Sequence, residues 1–394
     1  MSHTRSQDWD PKSAAVLRDQ RAAFDEMRER CPVAYSDLLG WSLFRHEDIV
    51  RVLNDHVTFS SVVSKNLSVP NGMDPPEHGS YRRVIERYFA PQTMQEFEPQ
   101  CRSLAADLVR SLYGRAELEL MGDFAHPFAA RVQCAFLGWP ASMHEPLRRW
   151  TQKNHAATLV QDRQAMAEIA QEFAGYVTKL LQLRRAADIQ STQDVTTGLT
   201  SQQVKGRPLN DQEITSILRN WTVGEISTIS AAVGVVAQYL AEHTDLQQQV
   251  RTQRGLLPDA IEEILRLYGP LLANRRVTTR AVEIGGRSIG AGERISLNWV
   301  AANRDGRVFT DPQSFRLDRD ASANLLYGAG IHVCPGAPLA RMELRVAVQA
   351  LLDGTTRIDP MTQRPPSHAL FPASGYATVP VQITFASQPV VHHQ

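Results

Sequence analysis

The stretch "LLYGAGIHVCPG" (residues 325–336) holds one cysteine in a short loop that is rich in glycine. Glycine has no Cβ, so a backbone built from it can turn sharply and approach a flat partner closely. His332 lies two residues before Cys334, and Pro335 follows the cysteine directly. Because proline has no amide N–H, any backbone donor to the sulfur must come from a neighbour such as Gly336. The stretch therefore predicts a sulfur positioned for a particular partner.

Four interpretations of Cys334 are open from the residues alone. A free cysteine is most often a buried structural residue. A zinc site requires about four ligands, of which His332 and Cys334 supply at most two. A nucleophilic thiol would need a base, for which His332 is the obvious candidate. A haem thiolate suits a glycine loop that leads into a helix, because a helix start places positive potential beside a negative sulfur. The sequence "LARMELRVAVQALL" (339–352) predicts such a helix.

The composition bounds the class of protein. The chain has 394 residues, of which 43% are hydrophobic and 21% charged, enough apolar material for a large globular core. Lys and Arg number 42, as do Asp and Glu, so the net charge is zero and we expect no nucleic-acid partner. The four cysteines include no C-x-x-C pair, which favours a reducing cytoplasm and leaves no ligand set for an iron–sulfur cluster.

Neither a targeting signal nor a membrane span is expected. The first residues, "MSHTRSQDWDPKSAAV" (1–16), are polar and unlike a secretory signal. The most apolar internal stretch, "ISAAVGVVAQYLA" (229–241), is shorter than the ~20 residues that a span requires and predicts a buried helix. We therefore expect a cytoplasmic protein with no membrane partner.

Helical periodicity dominates the chain. Apolar residues recur with a 3.6-residue period in stretches such as "PKSAAVLRDQRAAFDEMRERC" (11–31) and "QCRSLAADLVRSLYG" (100–114). β-Branched runs separated by "IGG" and "GAG" predict strands and turns within residues 274–305, and "ATVPVQITF" (377–385) predicts a second short strand pair. The sequence predicts a mainly α protein with a minor β part, in a single domain over residues 1–394.

Two residue pairs have the spacing of neighbours on one helix face. Glu263 and Arg266 are three apart in "AIEEILRL" (260–267). Such pairs are usually solvated and worth little, but the apolar residues around this one indicate burial. His78 and Arg82 are four apart in "DPPEHGSYRRV" (74–84), and taken alone they would more often be surface residues.

The segment 327–336, "YGAGIHVCPG", resembles the haem-binding loop of cytochromes P450, whose usual form is Phe-x-x-Gly-x-x-x-Cys-x-Gly. The resemblance extends over essentially the whole chain. It implies the cytochrome P450 fold, in which haem b (iron protoporphyrin IX) lies between long helices and Cys334 binds its iron. Tyr327 stands where the family more often has Phe, and Gly336 takes the last glycine position.

The resemblance also implies roles for the charged residues. Glu263 and Arg266 match the family's Glu-x-x-Arg signature, which with Arg319 in "FRLDR" (315–319) would hold the fold around the haem. Arginine suits this role because its planar guanidinium can bond two partners at once. Four basic residues would reach the haem propionates: His78, Arg82, Arg276 and His332.

The stretch "RNWTVGEISTISAAV" (219–233) departs from the family, which usually carries an acid followed by an alcohol there to relay protons to bound oxygen. Counting back from the predicted helix end, Thr228 takes the alcohol position. Ser227 then stands where the acid belongs, and Glu225 lies three residues before Thr228. An alternative register places Ser227 at the alcohol position and Ile226 at the acid position.

By this resemblance the protein is a haem-thiolate monooxygenase that inserts one oxygen atom from O2 into a small hydrophobic or aromatic substrate. Aryl-ether O-demethylation or hydroxylation is expected, in the catabolism of aromatic compounds. Two alternatives are a peroxide-driven oxygenase, which the missing acid makes worth testing, and a non-catalytic haem-binding sensor. Matched substrate-contact positions are small or aliphatic, with one polar member: Val223, Gly224, Leu272, Ala373 and Asn274.

Electrons are expected from separate proteins. The chain has no Rossmann-type G-x-G-x-x-G and no cluster-binding cysteines, so it should require a ferredoxin with its reductase, or a flavin and iron–sulfur reductase. Stretches such as "RNWTVGE" look similar to the bacterial subgroup that is often fused to such a reductase. The chain is therefore expected to be either a stand-alone member or an excised haem domain.

Overall fold

The structure is a computed structural model that describes residues 6–186, 194–370 and 373–386. Helices predominate in it and the strands form small sheets, which confirms the predicted fold class, mainly α with a minor β part. In chain order the helices are α1 (Ala14–Arg18), α2 (Gln20–Arg30), α3 (His46–Asn54), α4 (Glu77–Glu86), α5 (Pro91–Ser111), α6 (His126–Leu137), α7 (His144–Val160), α8 (Arg163–Ala186), α9 (Val195–Thr200), α10 (Asp211–Glu242), α11 (Thr244–Thr252), α12 (Leu257–Tyr268), α13 (Trp299–Ala302) and α14 (Ala337–Gly354).

Short helical turns and strands complete the described residues. Single 3-10 turns lie at Arg87–Phe89, Ala141–Met143, Arg254–Leu256 and Gly330–His332, and a π-helical turn at Met121–Ala125. The strands are β1 (Val33–Ser36), β2 (Gly40–Leu43), β3 (Phe59–Ser60), β4 (Glu117–Glu119), β5 (Gln203–Val204), β6 (Arg207–Pro208), β7 (Ala273–Thr278), β8 (Val282–Ile284), β9 (Arg287–Ile289), β10 (Arg294–Asn298), β11 (Thr355–Pro360), β12 (Ser367–His368), β13 (Tyr376–Thr378) and β14 (Pro380–Phe385).

The long helix α10 passes through the centre of the core. A capping box starts it, since the Asn210 side chain accepts from the Glu213 N–H while the Glu213 carboxylate accepts from the Asn210 N–H. Every residue from 229 to 241 is buried, which confirms the predicted buried helix. By length and composition α10 could cross a membrane, but 72% of its apolar window is buried inside the fold. The apolar surface of α10 therefore packs inside the core of the fold.

Four helices form the frame around the cysteine loop. Helix α14, which follows the loop, packs against α5 on one side and against α10 and α12 on another. Apolar residues of α5, α6, α10, α12 and α14 belong to one continuous core cluster. The loop is therefore fixed to the most heavily packed part of the molecule.

The largest sheet has the strand order β1-β2-β10-β7-β3. Strand β10 pairs antiparallel with β7 and parallel with β2, and β7 carries Arg276. The predicted turns are present: Gly285 and Gly286, both with positive φ, join β8 to β9, and Gly292 precedes β10.

Two details of the sequence prediction are wrong. The strands at residues 377–385 do not pair with each other, because β13 pairs with β12 while β14 lies between β11 and β4. The helix expected over residues 11–31 is divided into α1 and α2 at Asp19. That residue has extended backbone, and its carboxylate accepts from the Ala22 N–H to cap α2.

Candidate active site

The cysteine loop closes on itself immediately before α14. The Cys334 N–H donates to the Tyr327 carbonyl oxygen at 2.9 Å. Gly328 and Gly330 have φ values of +72° and +69°, which lie in the left-handed region that other residues rarely adopt. A Cβ on Gly330 would also collide with the Leu53 carbonyl of α3. Glycine at 330 is therefore required both for conformation and for space.

The Cys334 thiol is accessible, yet protein atoms surround it on most sides, as for a group that lines a cleft. Burial raises the pKa of this thiol, and the charge of Glu225 on α10 acts in the same direction. The N–H groups of Gly336 and Ala337 donate toward the sulfur and lower its pKa. A bound metal cation would hold the sulfur as thiolate, and two backbone donors at the start of α14 fit such a ligand.

Three of the four interpretations of Cys334 do not fit this geometry. Nε2 of His332 lies 2.9 Å from Ser61 Oγ, and its ring packs on His78 with centroids 4.3 Å apart, so this imidazole is engaged elsewhere than at the thiol. Within residues 6–186, 194–370 and 373–386, no group of three or more His, Cys, Asp or Glu could hold a metal ion, which excludes a zinc site there. The accessible Cys334 also differs from Cys101 and Cys134, which are buried. The fourth interpretation, in which Cys334 is a haem thiolate, fits this geometry.

The four predicted carboxylate-binding residues lie together beside the loop. Nη1 of Arg82 donates to the Val333 carbonyl at 2.6 Å, which ties α4 to the loop. Arg276, on β7, is buried and acts electrostatically on His332. His78, on α4, is 3% exposed and contacts the His332 ring.

The described residues bring two carboxylates to this basic cluster: Glu86, which accepts from Arg82 Nε at 2.7 Å, and Asp74, whose charge acts on His78 and His332. Burial lowers the pKa of His332 to about 3, and His78 and Arg276 add to the effect, while Asp74 opposes it. Burial and the charge of Arg82 likewise lower the pKa of His78. Nε2 of His78 is buried and has no hydrogen-bond partner among the described residues. The carboxylates of two haem propionates would supply further negative charge and an acceptor for His78 Nε2.

The residues of the Glu-x-x-Arg motif form a buried ion-pair network. Glu263 Oε2 lies 2.7 Å from Arg266 Nε, and Oε1 lies 2.8 Å from Arg319 Nε. Arg266 is 1% exposed and also donates to the carbonyls of Asn303 at 2.6 Å and Pro312 at 2.8 Å. The structure thus brings the three predicted residues together, and they tie α12 to the segment before the cysteine loop.

The polar residues of α10 face in different directions. Thr228 Oγ1 donates to the Gly224 carbonyl one turn earlier. Ser227 Oγ lies 3.1 Å from Nε2 of His155, a half-buried residue of α7. Burial lowers the pKa of His155. Sequence analysis missed His155, which lies 72 residues away in the chain.

Glu225 makes no direct hydrogen bond to Thr228, and the expected link between them through one water stays a prediction. Its carboxyl is within hydrogen-bonding reach of the Glu343 carboxyl on α14, and no bond to Thr228 is formed. Burial, which outweighs the hydrogen bond to Glu343, raises the pKa of Glu225. Glu343 is a second residue that sequence analysis missed, because nothing in "LARMELRV" marks it as facing α10.

The predicted substrate positions are only partly brought together. Gly224 and Asn274 are exposed, and Val223 and Ala373 are half-buried. An isolated β-bridge joins Ala373 to Leu271, the residue before Leu272. Leu272 is 5% exposed and packs in an N-terminal core cluster with Trp9 and Phe24, and its contact with substrate stays a prediction. A cavity of about 110 Å³ in that cluster is also lined by Leu272.

One further residue lies beside Gly336 of the cysteine loop. A Cβ on Gly336 would contact the Phe89 ring at 3.6 Å and Cys334 Sγ at 3.9 Å. Phe89 is therefore close to the sulfur side of the loop. It is 6% exposed and follows α4 in a 3-10 turn, and no signal in the sequence distinguishes it from other core aromatics.

This fold and this cysteine loop define a haem-thiolate protein. A family model described as Cytochrome P450 matches residues 138–384. The cyclomarin C epoxidase of Salinispora arenicola (strain CNS-205) is 32% identical over 352 residues, which cover 85% of this chain and 88% of that protein. The erythromycin C-12 hydroxylase of Saccharopolyspora erythraea is 32% identical over 360 residues, with the same shares of 85% and 88%.

Solved structures agree with these relatives. A mutant of P450 EryK in complex with erythromycin B superposes with a TM-score of 0.86 at 27% identity, and covers 95% of this chain and 99% of that one. Cytochrome P450 CYP109Q5 from Chondromyces apiculatus gives a TM-score of 0.85 at 28% identity, covering 95% and 98%. The chain belongs to the cytochrome P450 family. It is a monooxygenase with haem b as its prosthetic group, and it uses O2 and electrons from a redox partner.

Proposed function

We propose that this P450, as one haem domain over residues 1–394, oxidises a small hydrophobic or aromatic substrate by hydroxylation or by O-demethylation of an aryl methyl ether. The proposal is carried by the accessible Cys334 in its closed glycine loop, beside a basic cluster in which the buried His78 Nε2 has no hydrogen-bond partner among the described residues. When bound, the haem supplies an iron that activates O2. The residues below position it, supply protons and shape the substrate space.

Cys334 is the iron ligand in this proposal. The Gly336 and Ala337 N–H groups stabilise its negative charge, and Tyr327 closes the loop through its carbonyl. The buried network of Glu263, Arg266 and Arg319 holds α12 against the segment that precedes the loop. The basic cluster orients the haem through its two carboxylates: His78, Arg82, Arg276 and His332.

Protons reach the oxygen side through α10. Thr228 holds a hydroxyl there, with its own proton donated to the Gly224 carbonyl in the resting structure. The usual acid is replaced by Ser227, whose hydroxyl is hydrogen-bonded to His155. His155 is half-buried, and the Ser227–His155 pair is a route for proton resupply. Glu225 contributes through its carboxyl pair with Glu343 and not through contact with Thr228.

The residues proposed to contact the substrate are uncharged. Val223 and Gly224 on α10 and Ala373 beside Leu271 are small or aliphatic, and Asn274 is the one polar side chain in the set. None offers a cation for a substrate carboxylate. A neutral aromatic ether should therefore bind better than an acid of the same size. The relatives named above act on larger compounds by their printed names, the epoxidase on cyclomarin C and the hydroxylase on erythromycin.

A matched substrate panel tests this. Purified protein is supplied with NADH, a ferredoxin and its reductase, and is given a methoxyphenol, a methoxybenzoate of similar size, and a macrolide. We expect substrate-dependent formaldehyde and phenol from the neutral ether, and much less from the acid. Oxidation of the macrolide with no turnover of any small ether would show that the substrate class is wrong.

Two controls belong to that panel. Omitting the ferredoxin and reductase should abolish NADH-dependent product, because the chain has no cluster-binding cysteines or dinucleotide motif. Cys334→Ser should lose the strongly red-shifted CO band of thiolate-ligated haem. Survival of that band would show that another residue holds the iron.

A peroxide-driven reaction is a second candidate function, favoured by one observation. In the register that gives Thr228 the alcohol position, Ser227 stands where the family usually has its acid, and its hydroxyl bonds to His155, so the proton supply to bound O2 would differ from the usual one. Peroxide already carries two protons and two electrons and needs no such supply. The same panel run with hydrogen peroxide in place of NADH decides this. Product formed only with peroxide would favour the second function.

A further inference from the structure

Two carboxyl groups face each other between α10 and α14, one on the buried Glu343 and one on the half-buried Glu225, whose Oε1 is buried. Glu343 is 0% exposed, and the carboxyl of Glu225 lies within hydrogen-bonding reach of it. Helices α5, α10 and α14 enclose the pair as part of the central core. Two acids so placed are unusual, because a buried charge is costly unless it is paired.

Hydrogen-bond donors of the described residues do not account for the burial of these carboxyl oxygens. Oε1 of Glu225 and both carboxyl oxygens of Glu343 are buried without a hydrogen bond from any N–H or hydroxyl of the described residues. The remaining hydrogen bond that the geometry allows joins the two carboxyls, and it requires a proton on one of them. One proton shared between the two carboxyls therefore allows a hydrogen bond between them, which two ionised carboxylates could not form.

The surroundings supply no positive charge. Besides each other, the carboxyls meet the Cys101 thiol of α5, and burial with Glu225 raises the pKa of that thiol to about 12. Burial and Glu225 also raise the pKa of Glu343 well above its ordinary value. No Lys, Arg or His of the described residues acts on either carboxyl. Proton binding is therefore the means by which this site limits its negative charge.

The pair is electrostatically connected to the iron ligand. Glu343 lies on α14, the helix that begins directly after the cysteine loop, and the charge of Glu225 acts on Cys334. We propose that the Glu225–Glu343 pair is a proton-binding site that takes up a proton when the Cys334-bound iron is reduced, so that electron entry and proton uptake are linked. This inference rests on the proposed function only in that Cys334 holds the iron.

The physical reason is the charge balance of the site. A one-electron reduction adds a negative charge at the iron, supplied by the redox partner or by a chemical reductant. That charge raises the affinity of neighbouring carboxylates for a proton. The proton comes from solvent and ends on a carboxyl oxygen of the pair, so no covalent bond other than this O–H is formed or broken. Proton uptake neutralises the electron's charge and makes reduction easier at low pH.

The midpoint potential of the haem-loaded protein, measured by spectroelectrochemistry over a pH series, tests the linkage. For a one-electron couple, each tenfold change in proton concentration shifts the potential by at most ~59 mV. We expect the potential of the wild-type protein to fall with rising pH. Glu225→Gln and Glu343→Gln should each reduce that slope, and the double variant should abolish most of it.

The matched control is Glu242→Gln, the same chemical change at an exposed position of α10. It should keep the wild-type slope. Because His78 and His332 near the propionates can also cause a pH dependence, the wild-type slope alone does not identify the pair. A slope that is absent in the wild type, or unchanged in both single variants, would overturn the linkage.

A second measurement detects the proton on the carboxyl pair directly. Reduced-minus-oxidised infrared difference spectra of the wild type should show a protonated-carboxyl C=O band that shifts in D2O. Glu225→Gln, which keeps the α14 side chain intact, should remove or shift this band. An unchanged band in that variant contradicts the proposal. If Cys334→Ser keeps its red-shifted CO band, the proposed iron ligand is wrong. If the wild type turns over normally but its midpoint potential does not change with pH, the link between electron entry and proton uptake is refuted and the proposed function stands.

Discussion

Thr228 Oγ1 donates a hydrogen bond to the Gly224 carbonyl oxygen, one turn earlier in α10. The next hydroxyl, that of Ser227, leaves the helix and meets His155 on α7. A threonine that bonds back to the i−4 carbonyl competes with the helix's own ladder and commonly bends it. The Thr228 hydroxyl therefore bonds within α10, whereas the Ser227 hydroxyl joins α10 to α7.

Thr228→Ala should increase peroxide release and lower product per NADH by at least several-fold, because a positioned donor contributes about 10²–10⁴-fold to proton transfer. Haem content and the CO spectrum should stay unchanged. The control is Thr215→Ala, which removes the same kind of i−4 bond, at 2.6 Å to the Asp211 carbonyl, from a half-buried site near the start of the same helix. If Ser227→Ala uncouples the reaction and Thr228→Ala does not, the register assigned to the alcohol is off by one.

Tyr327→Phe should retain haem. The hydroxyl of Tyr327 is buried without a hydrogen bond of good geometry, and burial with the nearby charge of Glu262 raises its pKa. The Arg341 guanidinium lies 4.4 Å from the ring centroid, a contact that Phe can also make. We expect unfolding stability to change by less than about 1 kcal/mol, since the lost hydroxyl is poorly paired. Haem loss on purification would show that the hydroxyl is structural.

The local features of this fold follow from the sequence because they depend on neighbouring residues. Glycines at fixed positions around Cys334 predict the closed loop, and the 3.6-residue period predicts α10 and α14. The Glu263–Arg266 pair is similarly local, since three residues on a helix bring the side chains to one face.

Pairs between distant elements do not follow from the sequence in this way. His155 meets Ser227 only because α7 crosses α10, and Glu343 meets Glu225 only because α14 packs there. The side on which Leu272 packs is hard to predict for a related reason. In an extended segment adjacent residues face opposite sides, so a shift of one residue exchanges the core face for the cleft.

Glu263→Gln should destabilise the protein by about 3–5 kcal/mol, since it leaves the guanidinium of the buried Arg266 without its carboxylate. The neighbouring Glu262→Gln is the matched control. Glu262 pairs with the exposed Arg341 at 2.9 Å, and its loss should cost less than about 1 kcal/mol. Denaturant unfolding of the haem-loaded proteins gives both values. Equal effects of the two variants would show that the Glu263 network does not hold the fold.

Stability at acid pH should depend on Glu213 at the start of α10. This residue is 4% exposed, and its carboxylate accepts from Arg207 at 2.7 Å, from Tyr81 Oη at 2.5 Å and from the Asn210 N–H at 2.9 Å. Arg207, followed by Tyr81 and Asn210, lowers the pKa of Glu213 from 4.5 to about 2 against the opposing effect of burial. The folded protein thus favours the ionised form.

A carboxyl whose pKa is lower in the folded than in the unfolded protein stabilises the fold fully above the unfolded pKa. That stabilisation is lost as pH falls from about 4.5 toward about 2. The shift corresponds to at most about 3 kcal/mol, and to less because Arg207 is half-exposed and screened by salt. Glu213→Gln should therefore be less stable than wild type at about pH 7, and the difference should shrink as pH falls below 4.5. Urea unfolding over a pH series measures this, with Glu242→Gln at the exposed end of α10 as control. A difference that is constant with pH would show that packing, and not the charge of Glu213, carries the effect.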